Sequence, residues 1–188
     1  MTRLPFAVAL LAFVPNLALA QTPESGGARF EIIGEAPSAC VVRPPSAASG
    51  VNATVQSAGS ARSEIRIVQM VDSSTGQARA TSAELALPII CNAPHRVTLR
   101  SRNGGLLREG RTGRSMGGFA EFLPYRLSAL WLGRSAEGAS DMADGFVIDS
   151  FGGGAGQMSL SIDVPAGGRP LVAGRYADEL VIEFQVAN

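Results

Sequence analysis

The chain has 188 residues, 46% of them hydrophobic and 17% charged, with 22 Gly and 11 Pro, which suits one loop-rich globular domain. All 16 basic side chains are arginine and 16 acidic ones balance them, so no basic footprint for nucleic acid exists. The absence of lysine excludes Schiff-base chemistry, a P-loop lysine and pyridoxal phosphate.

The first twenty residues read as a signal peptide. Arg3 gives a positive start, Leu4 to Val14 a short apolar run, and Ala18-Leu19-Ala20 a small-x-small cleavage site. The mature chain would begin at Gln21, and Gln21 to Ala28, with Pro23 and Gly26-Gly27, reads as a leader. Arg29 to Ala36 is extended in pattern, with Phe30, Ile32, Gly34 and Ala36 on one face. Cys40 follows, then the breaker Arg43-Pro44-Pro45.

Beyond it the periodicity is two. Glu64 to Val71, Leu85 to Ile90, Arg96 to Arg100, Phe146 to Asp149 and Gln157 to Val164 are strand candidates. The last, Leu180 to Val186, places Leu180, Ile182, Phe184 and Val186 on one face. Gly, Pro, Asn and Asp clusters punctuate these runs, and residues 102–118 and 133–145 read as polar loops. No stretch after residue 20 sustains an amphipathic helix. About seven short strands imply an all-β sandwich. The expected organisation is a signal peptide at 1–20, leader and extended segment at 21–36, and one β-sandwich domain at 37–188.

Export gives the two cysteines, Cys40 and Cys91, a meaning. In an oxidising compartment a lone pair of cysteines joins, and closing a loop of this size favours the fold by roughly 4 kcal/mol. Two distant thiols and the single His95 are too few for a metal site, so no metal is expected.

Local patterns that look chemical fail on their surroundings. Gly113-Arg114-Ser115-Met116-Gly117 matches the G-x-S-x-G elbow, but neither flank offers the strand and helix it needs, and His95 precedes the serine. His95, between Pro94 and Arg96, reads as an exposed turn residue. Asp141 to Gly145 lacks the ligand spacing of a calcium loop, and Gly152 to Gly156 has no following Gly-Lys-Ser/Thr. Asn52-Ala53-Thr54 is a sequon relevant only to a eukaryotic secretory route. No active site assembles, and neither a cofactor nor a small-molecule substrate is expected.

The C-terminal third resembles a family. Leu160 to Ala166, then Gly174, Tyr176 and Asp178 at two-residue intervals before the strand from Leu180, are similar to the ending of spore coat protein U domains. Cys91-Asn92 before Val97-Thr98-Leu99, and Leu123 to Leu127 before Trp131, fit the same resemblance. The stretch Arg102 to Gly118 and the short interval before Trp131 depart from it.

The resemblance implies a secreted pilus subunit of the archaic chaperone–usher class: an immunoglobulin-like sandwich lacking its last strand. Its expected partners are a periplasmic chaperone, an outer-membrane usher and other pilus subunits. The protein would pass through the periplasm to the cell surface and support adhesion or biofilm. With Asn188 two residues beyond Val186, the last strand is expected to border an acceptor groove. Phe30, Ile32, Gly34 and Ala36 are then the candidate donor strand, although alternation alone equally allows this segment to be the first strand of its own sandwich. The leader favours donation. A stand-alone secreted binding module is the alternative from another class, and a hydrolase using Ser115 and His95 is a third.

Overall fold

The computed structural model describes residues 29–59, 62–111 and 114–187. The expected signal peptide and residues 21–28 of the leader lie outside the described residues. The chain divides into two units, Met1–Glu35 and Ala36–Asn188. In the first, residues 29–35 carry no strand, and Phe30, Ile32 and Ile33 are 87%, 96% and 79% exposed.

The second unit is all-β. In chain order its strands are β1 (Cys40–Val42), β2 (Ala47–Val51), β3 (Ala53–Ser57), β4 (Ser63–Ile67), β5 (Thr81–Cys91), β6 (His95–Ser101), β7 (Leu106–Arg108) and β8 (Ser115–Met116). There follow β9 (Phe119–Ala120), β10 (Phe122–Leu123), β11 (Arg126–Trp131), β12 (Arg134–Ala139), β13 (Phe146–Ser150), β14 (Gly154–Val164), β15 (Tyr176–Ala177) and β16 (Leu180–Val186). The larger sheet runs β1-β5-β14-β11-β12 with β2 also on β5, and a second runs β13-β6-β16.

Alternation packs the two sheets into a sandwich-like arrangement. β6 buries His95, Val97 and Leu99 and turns Arg96 and Arg100 to water, as a half-buried strand must. Leu85 and Ile89 of β5, Trp131 of β11 and Met158 of β14 share one core with Val97, Leu99 and Ile148 of the second sheet. Val97, Leu99 and Met158 are wholly excluded from water.

The segments expected as loops contribute strands. Leu106 of β7 packs against the core, and β7 pairs with β10 and β15. β12 has little apolar alternation because its place is set by a hairpin: Leu132 and Gly133, with φ of 48° and 73°, close a two-residue turn onto β11. The strand expected at Glu64 to Val71 ends at Ile67. Beside β7, the Arg108 guanidinium donates through Nε to Oε1 of fully buried Glu121 at 2.7 Å, while Oε2 has no partner among the described residues.

β1 and β2 line the same side of β5, separated by Pro44-Pro45. The prolines carry no N–H and interrupt the ladder. It resumes on either side, where Arg43 N donates to Pro88 O at 3.0 Å and Ser46 N to Ala86 O at 2.9 Å.

Candidate functional site

β16 is hydrogen-bonded along its length to β6, with Leu180 opposite Ser101 and Val186 opposite His95. Among the described residues it has no strand on its other side, and β4 likewise pairs only with β3. Between these two free edges runs an open groove of about 1340 Å³. Leu180, Ile182 and Phe184 of β16 form one wall and Ile65 and Ile67 of β4 the other. Its floor is apolar, from Leu85 and Leu87 of β5 and Leu160, Ile162 and Val164 of β14. The strand's inward side chains are half-buried where Val181, Glu183 and Gln185 are exposed. Such residues in a closed sandwich would be covered, so this core is open on one side. Val186 shares their face but does not line the groove.

Gly174, Tyr176 and Asp178 fasten the start of this wall. Asp178 Oδ1 accepts from Asn103 N at 3.0 Å, and Oδ2 accepts from the Tyr125 hydroxyl at 2.7 Å and from Ser101 Oγ. Burial first, and then the bond to Asp178, push the Tyr125 hydroxyl well above its ordinary pKa. The Tyr176 hydroxyl is shared between Val172 O at 2.8 Å and Ala120 O at 2.9 Å. Gly174 has φ of 152°, and a Cβ there would stand 3.1 Å from Arg108 Cγ and Cδ. These residues join β16 to the β6–β7 corner and sit along the rim of the groove.

At the other end of β16, Cys40 and Cys91 are joined in a disulfide between β1 and β5. Asn92 then ties down the chain before Cys40. Its Nδ2 donates to Pro37 O at 2.8 Å, its Oδ1 accepts from Ala39 N at 2.7 Å, and its backbone N donates to Ala39 O at 3.1 Å.

His95 is not an exposed turn residue: it is 2% exposed at the start of β6. Its Nδ1 donates to Ala93 O at 2.9 Å and its Nε2 accepts from Trp131 Nε1 at 2.7 Å. The sulfurs of Cys40 and Cys91 and the His95 ring lie close enough to suggest a metal. The sulfurs are bonded to each other and so are not thiolates, and both ring nitrogens are held in hydrogen bonds, so these three residues do not make a ligand set. Ser115 opens the short β8–β9 hairpin, not a strand-to-helix elbow. Asp141 and Asp144 are exposed in the turn between β12 and β13. Asn52 has φ of 57° and spends its side chain on Gln69 O, Gln69 N and Thr81 Oγ1.

No protein-family model matches the chain, nor does any curated protein or solved structure.

Proposed function

We propose that this chain is a non-enzymatic structural subunit that polymerises by donating a β-strand to the groove of another copy. In this reading it is an immunoglobulin-like sandwich short of one strand, exported by its N-terminal signal, held by a periplasmic chaperone and assembled at an outer-membrane usher into a pilus. The observation that carries the reading is the groove with an apolar floor along the free edge of β16. An unpaired strand edge beside exposed core is a template for an added strand.

The donor is the segment bearing Phe30, Ile32, Gly34 and Ala36. Phe30 and Ile32 are almost fully exposed, and burying them in a groove would favour docking by about 1.5–3 kcal/mol each before ordering costs. Gly34 and Ala36 suit shallower pockets. Backbone bonds to β16, and to β4 across the groove, supply the rest of the affinity.

The test is a synthetic peptide of residues 29–36 added to a chain truncated to begin at Ala36. Binding in one-to-one ratio with a rise in unfolding temperature is expected. A truncated chain that is already a stable, soluble monomer and ignores the peptide overturns the reading in favour of a stand-alone module.

A further inference from the structure

The pole of the domain from which the donor segment departs has an apolar surface of its own. Asn92 holds residues 37–39 there through the three hydrogen bonds described above, beside the Cys40–Cys91 bridge. Only three residues separate Ala36 from Cys40, so their Cα atoms lie within about 14 Å of each other.

The β11–β12 turn and the β13–β14 loop meet at this pole, because Gly154 stands opposite Cys91 and Cys91 opposite Cys40. Leu132 takes a left-handed backbone conformation in the turn, where Asn, Asp or Gly is the unstrained choice. Its side chain lies over Gly154, at which any Cβ would come within 2.4 Å of Leu132 Cδ1, yet Leu132 remains 41% exposed. Phe151 is 79% exposed, with the Arg134 guanidinium 4.8 Å over its ring. A strained leucine and an exposed phenylalanine beside a short tether are costly features for a surface that touches only water.

We propose that Leu132 and Phe151 form a contact surface for the next copy of this chain, so that each junction of the polymer is a donated strand plus a rigid pole contact. The inference rests on the strand-donation reading above. A tether this short brings the acceptor groove of the next copy against this pole, and the Asn92 clamp removes the slack that would let the two swing apart. The partner surface is accordingly the groove's end, where Ala36 is seated.

The test is the double variant Leu132→Asn, Phe151→Ser, compared with the parent chain by electron microscopy of polymers and by binding of the 29–36 peptide to the truncated form. Asparagine suits the left-handed turn, so the variant domain should unfold no more easily than the parent. Polymers should still form but bend far more, with persistence length falling several-fold. Loss of polymer with peptide binding intact also supports a junction contact. Unchanged stiffness overturns this inference alone. Loss of peptide binding overturns it too, since the pole would then act through the groove. Failure of the parent chain to polymerise at all overturns both readings together.

Discussion

Trp131 donates its indole N–H to Nε2 of His95 across the core, joining the large sheet to the first residue of β6. The His95 ring lies 6.4 Å from that of Phe184, so the pair also supports the groove wall. Trp131→Phe would leave a buried ring nitrogen unpartnered and a void beside it, and should destabilise the domain by roughly 2–4 kcal/mol. Chemical denaturation of variant and parent measures this. A loss within error of zero would mean that water replaces the indole.

Ile32→Asp should abolish polymer formation, because a carboxylate cannot enter an apolar pocket unpaired. The variant's own groove should still bind the unmodified 29–36 peptide. Ile33→Asp, on the opposite face of the segment, should be milder. Both side chains are exposed in the subunit, so neither change should lower its unfolding temperature. Equal loss of polymer in both variants would exclude a one-faced donor strand.

The Tyr125–Asp178 bond should make stability fall in alkali. The tyrosine is held above its ordinary pKa by burial and by the carboxylate, so the fold favours the neutral phenol. That contribution is intact below about pH 10 and is lost as pH rises toward the folded-state value. Tyr125→Phe should cost about 1–3 kcal/mol near neutrality and flatten this alkaline limb. Unfolding midpoints between about pH 8 and about pH 11 read both effects.

Replacing Cys40 and Cys91 together by serine should cost roughly 4 kcal/mol, the loop-closure value for their separation. The unreduced parent should weigh two hydrogens less than the dithiol. Unfolding curves with and without reductant give the energy, and full alkylation of the native parent would contradict the bridge.

The strands legible from residues were those with one wet face. Gln157 to Val164 alternates and is the body of β14, and Leu180 to Val186 is β16. His95 was open to the same reading, since it shares the parity of Val97 and Leu99, but its neighbours Pro94 and Arg96 suggest a turn. β12 was illegible because a hairpin and not apolar spacing places it. The bond from Tyr125 to Asp178 spans 53 positions, and nothing local announces it. The buried Arg108–Glu121 pair is hidden for the same reason: charge reads as surface until the partner is known. The groove beside Leu180, Ile182 and Phe184 was expected from the family resemblance and not from the strand's own residues, since an empty edge leaves no mark on the strand beside it.

Pro44-Pro45 bears on where a further strand could be added to this domain. The flank of the large sheet along β5 is occupied by two short strands with a gap in their donors, and a broken ladder makes a poor template for a further chain. Strand addition is thereby disfavoured on that flank, whereas the edge of β16 is continuous and borders the apolar floor of the groove. In the strand-donation reading, a subunit with one donor and one acceptor would have a valence of two, and its assembly would grow as an unbranched thread and not as a mat.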